Sequence, residues 1–254
     1  MIDIHSHILV GVDDGPEQLE LVLQMFQVAA KEGVSHMIAT SHSFHPQFHV
    51  DAKTVAQQVP QLQKMLDEQG ILITLHTGQE IRLVENVVEL LRTGEALPLA
   101  NSKYVLLEFP SSTVPHYARE IVIALQKEDY IPIIAHPEGN KAIMENPKKL
   151  ADLIKLGAMS QITAGSLAGH FGNSIQKFSL QLIKANLVHT YGSDVHNLTT
   201  RPFLYDAGLT FLEKNKQLDA VDMLLENNAR VLENKNFILY EPQRIQSKKW
   251  WQIF

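Results

Sequence analysis

Nine of the His, Asp and Glu side chains of this sequence are spaced so that they can converge on divalent cations. His5 and His7 stand two positions apart in the opening run Met1-Ile2-Asp3-Ile4-His5-Ser6-His7. In an extended strand alternate side chains share a face, so Asp3, His5 and His7 point one way while Ile2 and Ile4 point the other. Two imidazoles projecting together form a chelating pair, since neutral imidazole is a common ligand for zinc, iron, nickel and manganese-type ions. Asp194-Val195-His196 repeats that alternate spacing late in the chain, and Asp14, His42, Glu80, Glu108 and His136 lie between the two pairs. This set is too rich for one ion. Because carboxylates can bridge neighbouring ions, two or three metals are expected.

Such residues need elements that bring them to one place. Seven apolar runs of strand length, at about 1–7, 34–40, 71–76, 104–107, 130–135, 158–163 and 187–191, alternate with helical patterns. The helical stretches fall at about 16–31, 51–69, 84–92, 116–128, 148–155 and 174–185, with further helices and a polar tail beyond. This alternation is the pattern of a parallel sheet closed or wound with helices outside. A length of 254 residues suits a barrel. The expected fold is therefore α/β, a TIM-like distorted (β/α)7 barrel, with 1–254 as a single domain. His5/His7, His42, Glu80, Glu108, His136 and Asp194/His196 each fall at or just past the carboxyl end of a different run, and Asp14 joins them from the first loop. In such barrels that rim holds the active site.

Composition narrows the chemistry. A net charge of −6 argues against a nucleic-acid binder, which would carry a basic face. The absence of cysteine excludes disulfides, thiolate metal sites and a cysteine nucleophile. No stretch approaches the roughly 20 apolar residues of a membrane span, and the N-terminus lacks the pattern of a signal peptide, so no transmembrane segment and a cytoplasmic location are expected.

The His-x-His opening, Gly78-Gln79-Glu80-Ile81-Arg82, Glu108-Phe109-Pro110, His136-Pro137-Glu138 and Asp194-Val195-His196 resemble, in order and over nearly the whole chain, the PHP (polymerase and histidinol phosphatase) superfamily. Within it the chain is most similar to bacterial manganese-dependent tyrosine-protein phosphatases of the capsule and exopolysaccharide type. The resemblance implies Mn2+ as cofactor, with Zn2+, Fe2+ or Co2+ as alternatives. It implies a first ion on His5, His7, Glu80 and Asp194, a second on Glu80, Glu108 and His136, and a third on Asp14, His42 and His196. The implied partner is a phosphotyrosine protein, a membrane-associated bacterial tyrosine kinase. Two departures stand out: Gly139 follows His136-Pro137-Glu138 where these phosphatases usually carry arginine, and Ser43 follows His42 where they usually carry a second histidine.

The mechanism expected on that basis is in-line attack on phosphorus by a hydroxide bridging two metals, while the third metal and Arg201 neutralise the phosphoryl oxygens. Arg201, Asp194 and His42 are the expected catalytic residues, with Arg201 also binding substrate. A tyrosine phenol, with a pKa near ~10, leaves far more easily than an alkoxide and needs little acid help. Phe44, Phe48 and Tyr117 could wall in a phenyl ring. Arg82 could order its loop or line the pocket, and His45, His49 and His116 could reach substrate from the loops. A small-molecule phosphatase such as histidinol phosphatase and a catalytically weak metal-binding protein stand as alternatives. An amidohydrolase-type barrel, which often uses a modified lysine, is disfavoured because no lysine ends a strand. Trp250 and Trp251 in the tail could close the core, dock a partner or touch a membrane surface.

Overall fold

The structure, a computed structural model, describes residues 1–245; Trp250 and Trp251 lie outside them. Nine strands run through it: β1 (Ile2–Ser6), β2 (His36–Ala39), β3 (His42–Ser43), β4 (Thr74–Thr77), β5 (Glu80–Arg82), β6 (Tyr104–Glu108), β7 (Ile131–Ala135), β8 (Met159–Thr163) and β9 (Thr190–Gly192). Every ladder is parallel. They form a three-stranded sheet, β1-β2-β4, and a six-stranded sheet, β3-β5-β6-β7-β8-β9.

The seven expected runs are present, but two of them are broken. The run at 34–40 jogs and re-forms as β3, and the third run jogs and re-forms as β5. After each jog the chain changes sheets. At Gly78 the backbone passes so close to Ile38 that a Cβ would lie 2.7 Å from its Cγ2. The two sheets also meet at their other edges, where the Asp194 amide donates to the His5 carbonyl (2.8 Å) and the His7 amide to the Val195 carbonyl (2.9 Å). The result is a mixed α/β fold whose parallel strands curl into a partial barrel, in place of seven unbroken staves.

Helices cover the outside with apolar stripes. In Leu19–Lys31 the buried residues Val22, Met25, Phe26 and Ala29 follow the i, i+3, i+4, i+7 spacing of one helical face. Burying a side chain such as Phe26 contributes about 1.5–3 kcal/mol. This helix begins three residues later than the Pro16 signal suggests. Asp13 turns its Oδ1 onto the Gly15 amide (3.0 Å), and that local bond holds the preceding segment in a turn. By contrast Asp51, whose Oδ1 accepts from the Thr54 amide, caps the helix Ala52–Glu68 within a residue of its expected start. A second apolar cluster, including Ile4, Ile38, Tyr104, Leu106 and Ile133, packs between the strands themselves. Among the described residues no helix is long and apolar enough to cross a membrane.

Candidate metal centre

The jogs in the sheet are what aim two of the key side chains. His42 opens β3 and Glu80 opens β5, and the two are register partners. Glu108 ends β6, His136 follows β7, and Asp194 and His196 follow β9. His136 (φ 33°) and Asp194 (φ 54°) both occupy the left-handed region. Such a conformation costs of order 1–3 kcal/mol in a residue other than glycine and persists only where the surroundings impose it.

All nine residues named from the sequence come together. Glu80 sits at the middle, fully buried, with Oε1 2.7 Å from His136 Nε2. Its Oε2 lies 3.0 Å from His42 Nδ1, 3.3 Å from His7 Nε2 and 3.5 Å from His5 Nε2. Asp194 Oδ1 approaches His5 Nε2 (3.4 Å) and His7 Nε2 (3.6 Å) from the other side. Asp14 Oδ1 lies 3.2 Å from His196 Nε2 and 3.4 Å from His42 Nε2.

Four groups have ligand atoms close enough to share a cation: His7–Asp14–His42–His196, His5–His7–Glu80, His5–His136–Asp194 and His42–Glu80–Glu108. Their membership overlaps the implied grouping without matching it. His7 joins the third set, Asp194 groups with His136 as well as His5, and Glu108 faces His42. The donors form one continuous cluster, so several of them face two groups at once.

The donor chemistry fits cations. His42 Nδ1, Glu80 Oε2, Glu108 Oε2 and His196 Nε2 are buried without a hydrogen-bond partner among the described residues. His42 Nδ1 and Glu80 Oε2 are near each other yet not aligned as donor and acceptor. Buried polar atoms left in this way are costly, and a shared cation satisfies them together.

Electrostatics points the same way. Burial alone would raise Glu80, but the imidazoles of His5, His42 and His136 outweigh it and hold the carboxyl well below the usual range. Burial and the neighbouring charge of Glu80 push Glu108 up. Against the effect of burial, Asp13 and Glu80 raise His7 to about 10, and Glu80 raises His136 to about 9. Burial and the His7 imidazole push His196 down to about 4.

A cleft of about 380 Å³ opens onto the cluster, with Asp14, His42, Glu108, His136 and Asp194 in its lining. Arg201 also lines it. Its Nη2 donates to both Asp194 oxygens (2.9 and 2.8 Å) and its Nη1 to Asp14 Oδ2 (3.3 Å). The Asn197 side chain shapes the Arg201 loop by accepting from the amides of Thr199, Thr200 and Arg201. Arg82 points at Glu108, with Nη2 3.2 Å from Oε1.

Apolar side chains also line the cleft, and only some of them were expected. Phe48 lines the cleft, whereas Phe44 and Tyr117 are not among its lining residues; the Tyr117 hydroxyl donates to the Leu83 carbonyl instead. Phe171, Ile143 and Ile175 supply the remainder. His45 lines the cleft and stacks on His42, while His49 and His116 are not in the lining. A Cβ at Gly139, also in the lining, would meet nothing within 4 Å.

Three further residues support the cluster from behind. Asp3, fully buried, accepts from the amide and hydroxyl of Ser193, next to Asp194. Asp13 and Gln161 accept from the ring nitrogens of His7 and His5. Asp13 could have been suspected from its place beside Asp14; nothing in the sequence marks Gln161.

Comparisons with known proteins place the chain in a family. The family model described as capsular polysaccharide synthesis, CpsB/CapC, matches residues 1–233. YwqE of Bacillus subtilis (strain 168), named a tyrosine-protein phosphatase, is 40% identical over 254 residues, covering 100% of both chains. CpsB of Streptococcus pneumoniae, named likewise, is 28% identical over 238 residues, covering 91% of this chain and 98% of its own. A solved structure from work on YwqE of Bacillus subtilis and CpsB of Streptococcus pneumoniae, described there as unique metal-dependent tyrosine phosphatases, superposes with a TM-score of 0.95. It is 40% identical and covers 97% of this chain and 100% of that one. A hydrolase structure from Acinetobacter baumannii, at 15% identity and a TM-score of 0.54, shares the fold alone. On the strength of the match over residues 1–233, the chain belongs to the CpsB/CapC family of capsular polysaccharide synthesis.

Proposed function

We propose that this chain is a metal-dependent protein-tyrosine phosphatase. In this reading it acts in the cytoplasm on a membrane-associated bacterial tyrosine kinase that controls exopolysaccharide synthesis. Residues 1–254 form one PHP-type domain of distorted (β/α)7 design. His5, His7, Asp14, His42, Glu80, Glu108, His136, Asp194 and His196 hold two or three ions, with Mn2+ the first choice. The names of YwqE and CpsB support the substrate class. The observation that carries the reading is the cleft itself, which is lined both by cation ligands and by the apolar side chains Phe48, Phe171 and Ile175. That pairing suits a phosphate ester whose alcohol is an aromatic ring.

Divalent cations held here supply positive charge for the phosphoryl oxygens and activation of water as the nucleophile. With no cysteine in the sequence, a thiol nucleophile is absent. The chain's own residues do the positioning. Arg201 Nη2 donates to both Asp194 oxygens, which holds the guanidinium at the cleft. The positive charge and remaining N–H groups of the guanidinium suit a phosphoryl oxygen. His42 lies between Asp14 and Glu80, with one ring nitrogen facing each carboxylate. The phenolate leaving group, with a parent pKa near ~10, departs with little proton assistance.

The test is phosphate release from matched phosphotyrosine and phosphoserine peptides and from histidinol phosphate, each with Mn2+ and with excess chelator. Turnover of the phosphotyrosine peptide that requires Mn2+ and exceeds the other two is expected. Better turnover of histidinol phosphate would overturn the substrate assignment.

A further inference from the structure

Two histidines stand apart from the nine-ligand centre and face each other. His36 opens strand β2 and His76 lies in its parallel neighbour β4, where its register partner is Ile38. Side chains two positions apart in a strand share a face, so His36, Ile38 and His76 project to one side of the sheet. The two imidazoles form a diagonal pair: His36 Nδ1 lies 3.1 Å from His76 Nε2, with ring centroids 5.3 Å apart and planes tilted by 30°. Among the described residues neither ring has another hydrogen-bond partner. His36 begins β2, whereas His42 of the centre comes after that strand ends, so His36 stands at the far end of the strand from the centre. Neither histidine belongs to the four cation-sized groups.

The neutral imidazole is the form that binds a metal. Burial pushes both rings below the ordinary histidine value, so near neutral pH both are uncharged and carry lone pairs. Two nitrogens that share one ion at about 2.0–2.1 Å, in square-planar or tetrahedral geometry, stand roughly 2.9–3.4 Å apart. The 3.1 Å of this pair falls inside that range. Both residues are partly exposed, so solvent reaches the pair and can complete the coordination shell. No carboxylate is among the groups acting on either ring. A donor set of imidazole nitrogen without carboxylate oxygen suits Cu2+, Ni2+ and Zn2+, with Cu2+ bound most tightly, and suits Mn2+, Mg2+ and Ca2+ poorly. The pair therefore selects differently from the mixed centre.

We propose that His36 and His76 form a separate metal site, a two-imidazole chelate for Cu2+, and more weakly for Ni2+ and Zn2+, that bridges β2 and β4. The site stands independently of the phosphatase reading and of what the nine-ligand centre holds. The two histidines are 40 positions apart in the chain, so only the folded protein brings them together. An ion bound there stabilises the folded state and ties the two strands to each other.

The experiment is equilibrium dialysis of the full chain against Cu2+ and, separately, against Mn2+, comparing wild type with His36→Gln, His76→Gln and the double variant. Circular dichroism checks the fold of each. The nine-ligand centre is the same in all four, so its uptake cancels in the comparison. Wild type takes up one more Cu2+ per chain than either single variant, the double variant loses no more than a single one, and Mn2+ uptake is equal throughout. A second readout needs no variant: in imidazole spectra of the Zn2+-loaded wild type, a small amount of paramagnetic Cu2+ broadens the ring signals of His36 and His76 together. If a variant misfolds, these spectra decide the matter. Equal Cu2+ uptake by wild type and variants, a loss in only one of the single variants, or His36 and His76 signals that stay sharp would overturn the proposal. Lower Mn2+ uptake in the variants would overturn it as well, since the pair would then belong to the centre.

Discussion

Glu80 and His136, 56 positions apart in the chain, meet with His136 Nε2 2.7 Å from Glu80 Oε1. The other Glu80 oxygen faces His5, His7 and His42 at 3.0–3.5 Å. One buried carboxylate therefore touches four imidazoles. Glu80→Gln keeps its shape and removes its charge, so it should cost the centre at least one ion. Phosphotyrosine hydrolysis should fall by more than the ~100-fold that losing an outer partner costs. Metal analysis beside phosphate release checks this; full metal content with ordinary turnover would count against the central role of Glu80.

Arg201 holds both Asp194 oxygens, yet it is no member of the cation groups. Arg201→Ala should lower kcat/KM on a phosphotyrosine peptide roughly 10- to 100-fold, as expected for losing a hydrogen bond to a charged group at about 1.5–3 kcal/mol. Arg201→Lys should recover little, because an ammonium cannot reproduce the planar fork. Because Arg201 also bonds the ligands Asp194 and Asp14, the kinetics are read at saturating Mn2+, with metal content measured alongside. Unaltered kinetics would mean that the guanidinium only braces Asp194.

Gly139 lines the cleft, and a Cβ there has open space around it. Gly139→Arg should therefore fold normally and place a second guanidinium beside the phosphate. A charge-assisted bond of about 1.4 kcal/mol would lower KM about tenfold. Steady-state kinetics and a thermal melt test this together. An unchanged KM with an unchanged Tm would show that the added side chain turns away from the phosphate.

His189 is buried away from the centre, and its Nδ1 accepts from the Ser160 amide (3.1 Å). Burial pushes it down to about 4, from an ordinary 6.5. Between those values the unfolded chain binds the proton and the folded chain does not, so stability falls as pH drops from about 6.5 and levels off below about 4. The full effect is about 3 kcal/mol. Urea unfolding of the metal-stripped protein across that window should show a steeper pH dependence for wild type than for His189→Gln. Parallel curves would remove His189 as the cause.

The ligands were legible in the sequence because their chemistry restricts residue type, and parallel strands restrict where such residues can stand. His5, Glu108 and His136 each end an apolar run, which is visible without coordinates. The jogs that form β3 and β5 were not, since those strands are only two and three residues long, lie past the ends of the apolar runs, and depend on contacts such as Gly78 against Ile38. Phe171 was missed as part of the cleft lining, and of Phe44, Phe48 and Tyr117, named as possible ring contacts, only Phe48 lines it, because loop packing leaves no periodic trace. Gln161 looks like any polar residue in a strand; only its distance to His5 reveals it.

The most direct measurement is equilibrium dialysis of the metal-stripped chain against Mn2+, with phosphate release from a phosphotyrosine peptide followed in the same samples. Two or three ions per chain are expected, with turnover absent before uptake and rising with it. Undiminished turnover by the stripped chain, or uptake of fewer than two ions, would contradict a centre in which nine side chains cage several cations for phosphoester hydrolysis.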